Sequence, residues 1–128
     1  MSFTEEQKLA AWNKATAVPG FDPRTFRKDA CGAWIIWDKY GVDDNLYGWE
    51  IDHVVPRTLL ESKGFSEEQI NAVDNLRALQ HMNNVSKGMD YPSYTALVTS
   101  DGDRNVDVVK NLVVNSSLRN KLDEMYGL

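Results

Sequence analysis

Three short segments in the middle of the chain carry the side chains that could do chemistry. Residues 49–56 contain Asp52 and His53, and they are followed by residues 75–79 and 83–87. A carboxylate beside an imidazole, then an asparagine, then an amide-plus-lysine segment is a set of groups that suits metal-assisted cleavage of a phosphodiester. Such cleavage needs a base for the attacking water, a cation and a fixed geometry. Each segment alone is ordinary, so the prediction depends on their combination.

The candidate base is His53. The chain has two histidines, His53 and His81, and imidazole can take a proton from water because it titrates near neutrality. Asp52 beside it would supply a hard oxygen ligand for a cation. Adjacent residues of a regular strand point to opposite faces, so Asp52 and His53 can share a site only where the strand ends or bends. Pro56 favours such an end because it cannot donate to a ladder.

A second oxygen donor and two groups for a substrate phosphate follow in the third segment. Asn84 can offer an amide oxygen to the same cation, and Mg²⁺ or Mn²⁺ bound by only two side chains would keep several waters. Lys87 lies three residues further, on the same helical face, and His81 lies on that face too. We therefore expect Lys87 and His81 to contact the substrate phosphate. Lys87 could equally be a cation near the helix C-terminus that interacts favourably with the helix macrodipole.

Asn75 and Glu50 are expected to act indirectly. Asn75 precedes an apolar run, where its side chain could hydrogen-bond across a hairpin and fix the loop that carries His53. Glu50 would share a strand face with Asp52. It could be an acid of the outer shell, a third ligand or an exposed side chain, and we favour the outer shell.

Composition sets the limits on fold and partners. With 128 residues, 42% of them hydrophobic, we expect a single domain with one core. One cysteine, Cys31, excludes a disulfide framework or a four-cysteine zinc site within the chain. The N-terminus lacks the features of a signal peptide and no apolar run is long enough for a membrane span, so we expect a cytoplasmic protein that does not bind membranes. The net charge of -5 argues against binding nucleic acid through bulk charge.

The local patterns predict an α+β domain. Ser2 or Thr4 would cap a first helix over residues 5–17, and residues 24–29 would form one or two helical turns. The other predicted elements are strands at 33–37, 49–55 and 76–79, helices at 57–63, 66–73 and 81–88, a hairpin over 94–114, and a helix at 118–126 capped by Ser116 or Ser117.

These motifs resemble the HNH endonuclease family. The resemblance rests on residues 50–56, on Asn75 with Leu76 and Leu79, and on Asn84 with Lys87, within a core of about residues 48–90. It implies a ββα-metal core, a β-hairpin plus a helix that grips one metal ion, here with flanking helices and a C-terminal hairpin and helix.

The resemblance also implies a role for each matched residue. Asp52 and Asn84 would be the metal ligands, His53 the general base, and Asn75 the residue that orients the base. DNA would be the partner, and a single site would nick one strand, leaving a 5′-phosphate and a 3′-hydroxyl. His81 could instead enter the metal's first shell, so the ligand set stays open.

The chain departs from many relatives in its lack of a zinc site. Relatives often hold a structural zinc with two CxxC pairs, but Gln80 and Asn83 stand at the equivalent positions beside the core and cannot ligate zinc in that way. We therefore expect no structural zinc, and packing of the tryptophans and flanking helices must replace it. The long interval between His53 and Asn75 is attributed to an inserted helix at residues 66–73.

Two other functions stay open at this point. One is a catalytically silent module on the same scaffold that binds nucleic acid or protein, which the negative charge favours. The other is a toxin nuclease with a cognate inhibitor protein. Basic side chains outside the motifs are interpreted as surface charges, namely Arg57 and Arg77. The basic segment Arg24, Arg27 and Lys28 is either a solvated face or a clamp on the DNA backbone.

Overall fold

Three small antiparallel sheets and the helices between them make up the fold, in a computed structural model that describes residues 3–128. The helices are α1 (Glu5–Asn13), α2 (Arg57–Ser62), α3 (Glu67–Ile70), α4 (His81–Lys87) and α5 (Ser116–Tyr126). The strands are β1 (Thr16–Ala17), β2 (Phe26–Lys28), β3 (Trp34–Ile36), β4 (Trp49–His53), β5 (Leu76–Gln80), β6 (Ser93–Asp101) and β7 (Arg104–Val113). The sheets are β1-β2-β3, β4-β5 and β6-β7. The α+β class predicted from the sequence is confirmed.

The N-terminal part differs from the prediction in two places. Thr4 caps α1 in a capping box with Gln7, as expected, whereas Ser2 lies outside the described residues. Helix α1 ends at Asn13 rather than at residue 17, because Thr16–Ala17 pair with β2. The helical turns predicted for residues 24–29 are wrong, since this segment contains β2, which pairs with a strand on each side. An isolated helical turn is marginal in water, so the ladder hydrogen bonds decide the conformation.

The central hairpin pairs β4 with β5 so that Asp52 lies opposite Arg77 and His53 opposite Leu76. Strand β4 ends at His53, before Pro56, as the sequence predicted. Helix α4 begins directly after β5 and ends where Gly88 takes a positive φ of 48°. The hairpin β4–β5 is therefore followed directly by the short helix α4.

Helices α2 and α3 fill the long connection between β4 and β5. Ser66 and Gln69 form the predicted capping box at the start of α3. Each helix buries one apolar side chain, Leu60 from α2 and Ile70 from α3. This anchoring brings the connection back against the end of β4.

The C-terminal hairpin and helix occur where the sequence predicted them. Strands β6 and β7 join through a turn in which Gly102 has a φ of +64°, the left-handed region that glycine tolerates. The cap of α5 is a correction: the side chain of Asn115, not Ser116 or Ser117, accepts the Leu118 backbone N–H. The helix therefore begins earlier than residue 118. No helix among residues 3–128 has the length and apolar character needed to cross a bilayer.

The hairpin β4–β5 lies between two clusters of buried side chains. One face contributes to an aromatic-rich cluster with Trp12, Trp49, Ile51 and Leu76. The other face contributes Leu79 to a cluster formed with α2, α3, the C-terminal hairpin and α5. Because opposite residues of an antiparallel pair share a face, Glu50, Asp52 and Arg77 project on the side of Leu79. Two of these charged side chains, Asp52 and Arg77, are buried inside the fold.

Candidate active site

A cleft of about 240 Å³ brings together three of the residues that the sequence singled out. Asp52 and His53 reach it from the end of β4, and Asn84 reaches it from α4. Its other lining residues are Ile51, Pro56, Arg57, Thr58, Gly88 and Met89. Three of the predicted site residues therefore face one space, although they come from segments about 30 positions apart in the chain.

Asn75 fixes the backbone that follows His53. Its side chain is fully buried, and its Oδ1 accepts the Val55 N–H at 2.8 Å while its Nδ2 donates to the carbonyls of Val55 and Ile70 at 3.1 and 3.2 Å. These bonds satisfy two backbone groups of Val55, in the turn after β4, and the carbonyl of Ile70 at the end of α3. Asn75 makes no hydrogen bond to the His53 ring within the described residues, so any effect on the base would pass through the backbone.

The His53 ring is held by two groups that the sequence did not single out. Its Nε2 lies 2.7 Å from Oδ1 of Asn71, and the Phe3 ring lies on the imidazole with centroids 5.5 Å apart. Asn71 ends α3, in the long connection between the strands. Nothing in its residue type or spacing signalled this contact, because the contact depends on how α2 and α3 fold back.

Asp52 is buried and paired with two cations. Its side chain is 4% exposed, with Oδ2 at 3.1 Å from Nε of Arg77 and Oδ1 at 3.3 Å from Nζ of Lys87. The interpretation of Arg77 as a surface charge is wrong, because its side chain is only 8% exposed. The hairpin register could have indicated this, since opposite charges at facing positions stabilise a strand pair. Arg57, by contrast, forms an exposed ion pair with Glu67.

Lys87 lies where the predicted phosphate contact cannot form. Its ammonium is buried, donates to the His53 carbonyl at 3.1 Å and pairs with Asp52. Burial lowers the pKa of Lys87, and the Asp52 carboxylate acts in the opposite direction. The expectation that Lys87 meets a substrate phosphate is therefore corrected: the side chain joins α4 to the end of β4 inside the protein.

Glu50 orients Asn84 and His81. Its Oε1 lies 3.1 Å from Nδ2 of Asn84, which donates to it, and 3.0 Å from Nδ1 of His81. A carboxylate that accepts hydrogen bonds must face the NH₂ end of the amide, so Oδ1 of Asn84 is turned the other way. Within residues 3–128 this oxygen makes no hydrogen bond. Glu50 thus touches the predicted ligand rather than the cleft, the arrangement expected for an acid of the outer shell.

The oxygen donors suit a small divalent cation. Within residues 3–128, no group of three or more His, Cys, Asp and Glu side chains could hold a metal ion. A cation in the cleft would instead use one carboxylate, from Asp52, and one amide oxygen, from Asn84. Carboxylate and carbonyl oxygens suit Mg²⁺ and Mn²⁺, and Mg²⁺ commonly keeps several waters. The donor chemistry therefore fits the predicted ion, while the pairing of Asp52 with two cations opposes it.

Asp29, Gln80 and Asn83 form a buried hydrogen-bond network. Both oxygens of the buried Asp29 carboxylate accept bonds: Oδ1 from the backbone N–H groups of Cys31 and Ala33, and Oδ2 from the N–H of Gln80 and from Nδ2 of Asn83. Burial raises the pKa of Asp29, and these donors act in the opposite direction.

Asn83 extends this network to a further strand. Its Oδ1 accepts the N–H groups of Leu97 and Val98, which lie on β6. This polar network therefore joins β5, α4 and β6, in addition to the apolar packing expected from the sequence. Asp29 was not singled out in the sequence.

In comparisons with known proteins, the chain matches no protein-family model, no curated protein and no solved structure.

Proposed function

We propose that this protein is a metal-dependent endonuclease of the HNH type that hydrolyses DNA phosphodiester bonds. In this proposal β4, β5 and α4 form the ββα-metal core. The observation that carries it is the cleft shared by Asp52, His53 and Asn84, because these are the residues that the motif resemblance matches to ligand, base and ligand. The strand–strand–helix order that delivers them supports the same proposal.

Asp52 and Asn84 would hold one Mg²⁺ or Mn²⁺ ion. The support is the orientation of Asn84, whose Nδ2 is engaged by Glu50 so that its oxygen is available as a ligand. Such an ion would supply positive charge to the phosphate and to the leaving oxygen during cleavage.

His53 would act as the general base. Its imidazole takes a proton from a water molecule in the cleft, the water oxygen forms a bond to phosphorus, and the bond from phosphorus to the 3′-oxygen breaks. The 3′-oxygen takes a proton from solvent, and His53 later returns its own proton to solvent. The products are a 5′-phosphate and a 3′-hydroxyl. A single site of this kind nicks one strand per event.

One observation favours a second candidate, a catalytically silent module that binds nucleic acid or protein. The Asp52 carboxylate is already paired with Arg77 and Lys87, which together outweigh its charge and oppose the binding of a further cation. The net charge of -5 disfavours tight binding to DNA, which weighs against the nuclease and, within the second candidate, against a nucleic-acid partner. The two functions differ in whether the chain cuts DNA when metal is supplied.

Supercoiled plasmid tests the proposal directly. The parent protein is incubated with plasmid in Mg²⁺, in Mn²⁺ or in EDTA, beside His53→Ala and a control substitution at the exposed Asn120. We expect nicked circles with metal, none with EDTA, parent-like nicking by Asn120→Ala, and a loss of at least about 100-fold in rate for His53→Ala. A parent that leaves the plasmid supercoiled with either metal, or an equally active His53→Ala protein, would exclude the enzyme and favour the silent module.

A further inference from the structure

We propose that Asn71 is a positioning residue that holds the His53 ring with its proton on Nε2 and its lone pair on Nδ1. This inference rests on the proposed nuclease function and adds to it a residue outside the three motif segments. It starts from the 2.7 Å separation of Nε2 of His53 and Oδ1 of Asn71, which is at the short end of the usual range for N–H···O hydrogen bonds.

The orientation of the Asn71 amide follows from its other neighbours. At one end, the amide lies 3.3 Å from Oε1 of Glu67, which can only accept, so that end must be the NH₂ group. At the other end it lies 3.3 Å from Nη2 of Arg57, which can only donate, so that end must be the oxygen. Both neighbours select the same orientation, and the oxygen faces His53.

The tautomer of His53 follows from that orientation. An amide oxygen has no proton to give, so Nε2 of His53 must be the donor of the 2.7 Å bond. In the neutral ring, Nδ1 then carries the lone pair. Because Nδ1 makes no hydrogen bond to residues 3–128, it is the nitrogen left to accept a proton from water.

The frame that holds Asn71 is itself fixed. Arg57 and Glu67 form a two-pronged ion pair, with contacts of 2.6 and 2.7 Å, that brackets the amide from α2 and α3. The Phe3 ring limits the imidazole further. Asn75 holds the backbone after His53, whereas Asn71 holds the imidazole ring, so the two asparagines fix different parts of the same site. The bond to Asn71 also survives protonation of Nδ1, because the imidazolium keeps its Nε2–H.

Nitrogen-15 NMR determines the tautomer of His53 by a measurement that does not depend on nuclease activity. Uniformly labelled protein is examined at about pH 8, where ordinary histidines are neutral, and the His53 signals are assigned by comparison with His53→Ala. We expect the parent to be protonated at Nε2, with an Nε2 proton that exchanges slowly with water. Asn71→Ala should lose that slow exchange, because the Nε2 proton then lacks its acceptor. The exposed Asn120→Ala serves as the control.

Plasmid nicking by the same proteins gives the catalytic readout. We expect Asn71→Ala to lower kcat about tenfold with little change in KM, because the ring loses its orientation while the substrate contacts stay. The exposed Asn120→Ala should nick at the parent rate. A parent protonated at Nδ1, or an Asn71→Ala protein with unchanged kcat, overturns the role of Asn71 even if the parent is an active nuclease. A parent that does not nick but is protonated at Nε2 overturns the nuclease and, with it, any catalytic role for the bond.

Discussion

Nζ of Lys87 lies 3.3 Å from Oδ1 of Asp52, and both side chains are buried. With Arg77 on the other oxygen, the group carries one negative and two positive charges, a sum of +1. Two of the chain's own cations, Arg77 and Lys87, therefore compete with a metal ion for Asp52. Any cation that binds there must share the carboxylate with Lys87 or displace it, and this cost enters the metal affinity.

Replacing Lys87 with methionine should tighten metal binding. The substitution keeps an unbranched side chain of similar length and brings the sum of charges from +1 to zero, so a divalent cation meets less repulsion. We expect the Mn²⁺ dissociation constant, measured by calorimetry, to fall about tenfold, which corresponds to about 1.4 kcal/mol. Lys110→Met, at an exposed lysine, is the control. A folded Lys87→Met protein with unchanged or weaker Mn²⁺ affinity would show that the ammonium does not compete for Asp52.

Glu50 should matter for metal binding although it does not line the cleft. Glu50→Ala removes the acceptor that turns the Asn84 oxygen outward, and the loss of such outer partners typically costs about 10- to 100-fold in affinity. Calorimetry with Mn²⁺ should therefore show a large loss for Asp52→Ala and Asn84→Ala, a smaller one for Glu50→Ala, and none for the exposed Glu124→Ala. Unchanged affinity in both Asp52→Ala and Asn84→Ala would remove them as ligands.

The sequence predicted the residues of the cleft better than it predicted their partners. The period-2 pattern before Pro56 and the helical spacing after residue 80 are local, so the end of β4 and the extent of α4 could be predicted. The contact between Asn71 and His53 joins positions 18 residues apart through two short helices, and no local pattern encodes it. Strand β2 was missed for a related reason, since three residues are too few to show a period and their pairing comes from distant partners.

The burial of charged side chains was the second feature that the sequence did not predict. Arg77 and Lys87 are residue types that lie at the surface in most proteins, and composition alone assigns them there. Their burial is possible because Asp52 lies between them, which requires the register of β4 with β5 and the packing of α4 to be known together.

Asp29 should be important for folding rather than for catalysis. Asp29→Ala leaves four buried donors without their acceptor, and each unsatisfied group costs about 1–3 kcal/mol. We expect the free energy of unfolding, measured by urea denaturation, to fall by at least about 3 kcal/mol, while the exposed Asp38→Ala changes it by less than about 0.5 kcal/mol. A loss below about 1 kcal/mol for Asp29→Ala would mean that the network contributes little to the stability of the fold.

Tyr126 should make a pH-dependent contribution to stability. Its hydroxyl donates to the Gln69 carbonyl at 2.6 Å, and burial, followed by the nearby Asp74 carboxylate, raises the pKa of Tyr126 from 10.0 to about 12. A raised folded-state pKa gives stability that is fully present below the unfolded value, near pH 10, and is lost as the pH rises through about 12.

Comparison with Tyr126→Phe isolates this contribution, because the phenyl ring keeps the packing and cannot ionise. Urea denaturation should find Tyr126→Phe less stable than the parent by about 1 kcal/mol at neutral pH, the usual net value of one hydrogen bond. The difference should shrink between about pH 10 and pH 12, since only the parent has this hydroxyl to lose. Burial also raises the pKa of Cys31 and Tyr94, but both proteins share these groups, so their effects cancel in the difference. A gap that stays constant up to pH 12 would show that the Tyr126 hydroxyl titrates alike in the folded and unfolded chains.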